Sequence, residues 1–155
     1  MSTPETHSRP DFHIIDPTAS VRAHPDWFFR SGEFSVAELL SLLTHEAIMH
    51  GARDVTARAI GEWWLIQSSH DWLSGDIAAF FNLVPDPLAG PNSSRVEFLA
   101  TVFCRAVWTA RAGEPYAVAA VEPLPPDVLT QLSDRTVGRS IAFLPPESSA
   151  TSTSR

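Results

Sequence analysis

The stretch SVAELLSLLTHEAIMHGARDVTARAIGEWWLIQS, residues 35–68, decides the fold, because it holds the signals for one helix followed directly by one hairpin. Ser35 and Glu38 have the spacing of a capping box, in which two side chains satisfy the first free N–H groups of a helix. Apolar residues then recur at helical spacing until Gly51, which stands where a glycine ends a helix. This pattern predicts a helix over residues 36–50.

A hairpin is predicted in the second half of the same stretch. Residues 55–60 and 63–68 are rich in strand-forming side chains, and Gly61 and Glu62 between them suit a tight turn. Farther along the chain, the sequence predicts helices over residues 77–83, 95–112 and 127–132, and strands over residues 116–121 and 140–144.

The prediction of a long helix near the middle of the chain depends on a second capping box. Ser94 and Glu97 have the required spacing, the apolar residues after them fall on one broad helical face, and Gly113 stands at the expected end. Cys104 then lies mid-helix among apolar neighbours, which favours a buried apolar side chain over a nucleophile.

The order of these elements predicts an α+β fold. We expect a two-layer sandwich, with helices on one face of a mostly antiparallel sheet. The polar residues 1–12 and the Ser/Thr-rich residues 145–155 are expected to be disordered. A single domain over residues 13–144 is left.

Composition excludes several classes of function. The chain has 155 residues, with 11 basic side chains against 18 acidic ones and a net charge of −7. All the basic residues are arginine, so no lysine can form a Schiff base or contact a phosphate. An acidic chain without a basic patch lacks the footprint of a nucleic-acid-binding protein. No apolar run reaches the roughly 18 residues that cross a bilayer, and the single cysteine fits a reducing cytoplasm.

The histidines at the end of the first helix suggest an enzymatic alternative. A zinc peptidase motif needs two histidines four residues apart, whereas His45 and His50 are five apart, with Glu46 between them. A metal site with His70 or Asp71 as the third ligand is left open by this pattern. The other interpretation is that both histidines are partly exposed and suit the negative end of the helix dipole.

Adjacent residues on a strand point to opposite faces of a sheet, and this rule applies twice in the hairpin. Residues 68–71, Ser-Ser-His-Asp, contain the residue types of a catalytic triad, but a triad needs separated positions. Trp63 and Trp64 must also face opposite sides. One of the two is therefore expected to face solvent or an interface, as a candidate binding anchor.

Two segments carry a family resemblance. Residues 21–28, VRAHPDWF, resemble the V-R-x-R-P-x-M-Y segment before the first helix of gyrase B, and residues 47–52, AIMHGA, resemble the A-I-x-H-G-A end of the N-box helix in anti-sigma-factor kinases. Both of these are GHKL, or Bergerat-fold, ATP-binding domains. Residues 92–113 and 116–121 are similar in place to that family's later helix and strand. The resemblance implies a Bergerat-like sandwich over about residues 14–122.

The same resemblance implies that the ATPase chemistry is lost. Leu42 stands in place of the glutamate that activates water, and Glu46 in place of the asparagine that holds Mg²⁺. Ser68, His70 and Trp72 fall on the aspartate and the two glycines of the D-x-G-x-G motif, where large side chains would fill the nucleotide space. The resemblance therefore implies no ATP hydrolysis and no cofactor, and it leaves open whether any nucleotide binding survives.

The sequence thus predicts a degenerate GHKL-like domain that binds another protein as a regulatory or adaptor module in the cytoplasm. Nucleic acid and membranes are not expected partners. The alternatives are a metal-dependent hydrolase using His45, Glu46, His50 and His70, and a small-ligand binder in the vacated pocket between the first helix and the sheet. The residues expected to border that pocket are Leu42, Glu46, His50, Ser68, His70 and Trp72.

Overall fold

The computed structural model describes residues 16–75, 77–81, 95–120 and 122–148. The helices are α1 (Pro17–Ala23), α2 (Val36–Met49), α3 (Ile77–Phe81), α4 (Glu97–Phe103) and α5 (Pro126–Leu132), with a 3₁₀ turn at Pro25–Trp27. The strands are β1 (Thr56–Ile60), β2 (Trp63–Ser68), β3 (Ala106–Arg111), β4 (Glu114–Ala120) and β5 (Arg139–Leu144). None of these helices is long and apolar enough to cross a membrane.

The strands form one antiparallel sheet in the order β1-β2-β5-β3-β4. The last strand of the chain, β5, lies at the centre, between the two hairpins β1-β2 and β3-β4. It joins hairpins that are far apart in the sequence, pairing Ile66 of β2 and Thr109 of β3 with the same residue, Ile141. The expected α+β architecture is confirmed.

The ends of α2 agree with the sequence prediction, except for one half of the capping box. Ser35 Oγ accepts a hydrogen bond from the Glu38 backbone N–H at 3.3 Å. The Glu38 carboxylate accepts from the Arg30 backbone N–H at 2.7 Å instead of returning to Ser35. At the other end, Gly51 has φ of +99°, the left-handed conformation that closes a helix without a Cβ clash.

The predicted helix over residues 95–112 is wrong beyond residue 103. α4 ends at Phe103, Cys104 follows it as the C-cap residue, and residues 106–111 form β3. The chain then turns through Ala112 and Gly113, both at positive φ, into β4. The proposed cap Ser94 lies outside the described residues, as do the last two positions of the predicted helix over residues 77–83.

The helical pattern misled here because β3 is an inner strand with both of its faces covered. Val107 and Thr109 are buried on one face and Ala106 and Ala110 on the other. A short apolar run of this kind has no exposed side to reveal a period of two, so periodicity alone cannot separate it from a buried helix.

Each face of the sheet carries its own core. α1 to α4 cover one face and form the larger core, which includes Val21, Leu39, Leu43, Ile66, Phe98, Val107, Ile141 and Phe143. The short helix α5 covers the other face, and its core contains Val128, Leu132, Trp63, Leu65, Ala142 and Leu144. The two-layer expectation therefore holds for α1 to α4, and α5 adds a small third layer.

Covering both faces also buries the two neighbouring tryptophans. Trp63 is 5% exposed in the smaller core, and Trp64 is half-buried against the larger one. Trp64 also lines a surface depression with Val36, Glu62 and Arg105, so the expectation that one of the two tryptophans faces solvent or an interface stays a prediction. A tryptophan that does face solvent is Trp27, which is 59% exposed and stacks on His24.

The expected disordered ends fall mostly outside the described residues, which exclude residues 1–15 and 149–155. The first part of the Ser/Thr-rich tail is described and has no helix or strand. Arg105 holds it against the sheet: its Nε donates to the Pro145 carbonyl oxygen at 3.0 Å, and its Nη1 lies 3.4 Å from the Glu147 carboxylate.

Candidate functional site

Two of the predicted site residues, Glu46 and His50, meet an arginine that the sequence analysis did not single out. Arg95 lies just before α4, and its Nε is 3.1 Å from Glu46 Oε1 and 3.3 Å from Glu97 Oε2. Its Nη1 is 3.0 Å from His50 Nε2. We call these four residues, Glu46, His50, Arg95 and Glu97, the Arg95 cluster.

The Arg95 guanidinium uses all three of its nitrogens within the protein. Nη2 donates to the Trp72 carbonyl oxygen at 3.4 Å and to Glu97 Oε1 at the same distance. The guanidinium also lies 4.5 Å from the centre of the Phe80 ring, a cation–π contact. The cluster is therefore a satisfied network that joins α2, α4 and the segment after β2.

Burial controls the electrostatics of this cluster. The Glu97 side chain is fully buried, and burial raises the pKa of its carboxyl group, while the hydrogen bond and charge of Arg95 act in the opposite direction. Arg95 therefore compensates the Glu97 carboxylate, which would be costly to bury alone. Arg95 can donate to His50 Nε2 only when the ring proton of His50 is on Nδ1.

The histidine after β2 has a structural role at the end of α2. His70 Nε2 donates to the His50 carbonyl oxygen at 3.1 Å, so its ring caps one of the free carbonyls at the end of the helix. The ring lies against Gly51, where an added Cβ would come within 3.1 Å of Nε2. The sequence analysis predicted His70 in this region on a different basis, because it falls on a glycine of the D-x-G-x-G motif.

The side chains of the remaining predicted pocket residues, Leu42, Ser68 and Trp72, are not part of the Arg95 cluster. Ser68 Oγ donates to the Asp54 carboxylate at 2.8 Å, and hydrogen bonds from Ser69 and Ser68 lower the pKa of Asp54. Trp72 is 2% exposed within the larger core. Leu42 is half-buried and lines a separate depression that also includes Phe28.

The structure does not assemble the metal site or the triad. His45 is exposed on α2, and in the described part of the chain no group of three His, Cys, Asp or Glu side chains is placed to hold a metal ion. A metal at His50 Nε2 would lie beside the Arg95 guanidinium charge. The side chains of Ser68, His70 and Asp71 bond to Asp54, the His50 carbonyl and Arg139. The His70 backbone N–H donates to Ser68 Oγ at 3.1 Å, but the three side chains form no triad.

Cys104 is partly buried against the larger core. Burial raises the pKa of its thiol to about 12. A thiol is the unreactive form at neutral pH, so the interpretation of Cys104 as a packing residue is supported although its place in a helix was wrong.

A second charged group lies on the same sheet face, under α3. The Asp71 carboxylate accepts from Arg139 Nε at 2.7 Å and from Arg139 Nη2 at 3.1 Å, and Arg111 Nε lies 3.2 Å away. Burial alone would raise the pKa of Asp71, but the hydrogen bond and charge of Arg139 outweigh it, with a smaller contribution from Arg111, and hold it below its ordinary value.

A cavity of about 380 Å³ opens beside this charged group. Arg139 is 2% exposed and reaches the cavity floor, where Nη1 donates to Thr109 Oγ1 at 3.3 Å. We call this cavity the Arg139 cleft. Its lining is Leu73, Gly75, Ile77, Ala78 and Tyr116 on the apolar side and Thr109, Arg111, Glu114 and Arg139 on the polar side.

Sequence reasoning missed the arginines that organise both groups. One available signal was Arg139, a charged residue at the start of a mostly apolar strand, where its side chain must face one of the covered sides. Arg95 lies two residues before Glu97 and looked like an exposed residue near a helix start. Its partners on α2 are 45 or more residues away in sequence, and local spacing cannot reveal such a contact.

Comparisons with known proteins add no functional assignment, so the function is argued from the geometry described above. No protein-family model, no curated protein and no solved structure matches the chain.

Proposed function

We propose that the chain is a non-catalytic, GHKL-like domain that acts in the cytoplasm by binding another protein, as a regulatory or adaptor module. The observation that carries the proposal is the closed Arg95 cluster. Glu46, which the resemblance puts at the position that holds Mg²⁺, is already held by Arg95 and lies 3.2 Å from His50. A carboxylate whose oxygen is already paired with a guanidinium is poorly available to bind Mg²⁺.

The residues at the expected nucleotide positions support the same proposal. Trp72 packs in the larger core and His70 packs against Gly51. Neither side chain leaves space at the position where the resemblance would need a glycine beside a nucleotide.

A surface suited to protein contact lies next to the Arg95 cluster. At the last turn of α2, Ile48 is 54% exposed and Met49 is 68% exposed. Large apolar side chains that stay exposed together are typical of an interaction site, and methionine adapts to varied partners. We call Ile48 and Met49 the α2 apolar end.

Nucleotide binding is the first test. Calorimetric titration with ATP and ADP in the presence of Mg²⁺ is expected to give no heat of binding, and a phosphate-release assay no turnover. Micromolar binding accompanied by turnover would overturn the proposal. Metal analysis of the same sample tests the hydrolase alternative, which requires bound metal that is lost on His45→Ala substitution.

Partner binding is the second test. A photo-crosslinking group is placed beside the α2 apolar end in the wild-type chain, in the double variant Ile48→Glu/Met49→Glu and in the control Leu129→Glu. Leu129 is an exposed apolar residue of α5, on the other face of the sheet. One partner captured by the wild type and by the control, but not by the double variant, supports the proposal. Equal capture by all three contradicts it.

A further inference from the structure

The Arg139 cleft combines a buried charge pair with an arginine that is only partly used. Arg139 donates hydrogen bonds from Nε and Nη2 to the Asp71 carboxylate. Arg111 approaches the same carboxylate through Nε, and its two Nη atoms have no partner among the described residues. Two guanidinium groups thus share one carboxylate, and the Nη atoms of Arg111 stay available as donors at the mouth of the cleft.

The walls of the cleft are apolar. Leu73 and Ile77 come from the segment that includes α3, and the Tyr116 ring comes from β4, paired with Thr109 on the floor. A volume of about 380 Å³ is at the lower end of the range for small-molecule sites, and it accommodates one aromatic ring with a short substituent. Such a cavity, with few convergent polar groups, is the kind that binds a small organic ligand.

We propose that the Arg139 cleft binds a small planar organic carboxylate. The ring lies between α3 and Tyr116, and the carboxylate accepts hydrogen bonds from the free Nη atoms of Arg111, the geometry for which arginine is suited. The site is separate from the α2 apolar end, and the proposal holds whether or not the chain binds a protein there.

Glu114 adds a negative charge to the lining of the cleft, so it lets the charge preference of the site be tested. It is the acidic residue that lines the cleft, and it stands directly opposite Arg111 across the β3-β4 hairpin. The two form no ion pair in the described part of the chain, where Arg111 pairs with Asp71. Glu114 therefore repels a carboxylate in the cleft and would attract an ammonium group.

The test uses three probes of one shape and different charge: cinnamate, cinnamamide and cinnamylamine. Calorimetric titration of the full chain is expected to show cinnamate binding at least about tenfold more tightly than the amide, because a hydrogen bond to a charged group is lost. Amide NMR shifts are expected to concentrate on β3, β4 and α3. Absence of cinnamate binding at millimolar concentration, or cinnamylamine binding as tightly as cinnamate, would overturn the proposal.

Two variants and one control separate the charge contributions. Arg111→Ala is expected to weaken cinnamate binding about tenfold, while Glu114→Gln leaves it equal or tightens it. Arg53→Ala, which removes an exposed arginine outside the cleft, is expected to have no effect. Weaker binding in Glu114→Gln, or unchanged binding in Arg111→Ala with NMR spectra of a folded protein, contradicts the assignment.

Discussion

The Arg95 cluster and the Arg139 cleft are built from the same residue types but differ in what they leave available. In the first, one arginine serves two carboxylates, Glu46 and Glu97, and all of its nitrogens have partners. In the second, two arginines serve one carboxylate, Asp71, beside a cavity. All the nitrogens of Arg95 have partners, whereas the Nη atoms of Arg111 have none among the described residues, so we assign ligand binding to the second group.

Burial reinforces this difference. Glu97 is fully buried, so Arg95 is required to compensate it, and replacing Arg95 leaves a charge with no access to water. Arg111 is 75% exposed, so it can exchange water for a ligand at small cost to the fold. The first group thus stabilises the structure, and the second has capacity left for binding.

The largest effect is expected for Arg95→Met. Leaving Glu97 buried without its partner should cost about 3–5 kcal/mol in the free energy of unfolding. Because burial raises the pKa of Glu97, the cost should shrink as the pH falls and the carboxyl group becomes neutral in the folded state. Denaturant unfolding at pH 8 and pH 5 measures both effects. A small loss in the free energy of unfolding at both pH values would show that Arg95 is not needed to compensate Glu97.

A somewhat smaller effect, about 3 kcal/mol, is expected for Arg139→Met, since Asp71 keeps Arg111 as a partner. Unfolding of Arg139→Met, of Asp71→Asn and of the double variant forms a cycle. The double variant should be more stable than the sum of the single losses predicts, because removing both charges leaves neither one unpaired. Strict additivity would mean that the pair does not act as a unit.

Acidification offers a third test, centred on Asp71. Its pKa in the folded state lies below the ordinary value of 3.8, so its stabilising contribution is present above that value and is lost as the pH falls through the folded pKa. Wild-type stability should therefore fall more steeply than that of Asp71→Asn as the pH drops below about 4. Asp26→Asn, which changes an exposed aspartate, is the control. Parallel curves for all three proteins would contradict the expectation.

The smallest effect is expected for Arg111→Met. An exposed ion pair contributes less than about 1 kcal/mol, so the free energy of unfolding should change little. Thermal unfolding without ligand measures this directly. A loss as large as that of Arg139→Met would show that Arg111 holds the fold together and would remove the distinction between the two groups.

Local sequence signals predicted most of the elements. The capping residue Ser35 and the cap Gly51 marked α2, and the Gly61-Glu62 turn marked the first hairpin, because these features act within a few residues. The same reasoning failed at residues 104–112, where the burial of β3 on both faces hid its strand periodicity.

The candidate sites were predicted less well than the fold. The sequence located Glu46, His50 and His70 in one region, and the structure places them at one end of α2. The sequence did not predict that Arg95 lies at that end of α2 or that Arg139 pairs with Asp71. These contacts span 45 to 68 residues of chain, and the Arg139–Asp71 pair also depends on β5 lying beside β2 in the sheet.

The sequence by itself therefore determined the helix–hairpin start, the α+β class and the absence of lysine chemistry, since propensity, caps and composition are local or additive properties. The tertiary structure decided which charges meet. Pairing of arginines with carboxylates depends on the order β1-β2-β5-β3-β4 and on which sheet face each side chain occupies. Electrostatic energy depends on distance and burial in space, and neither follows from spacing along the chain.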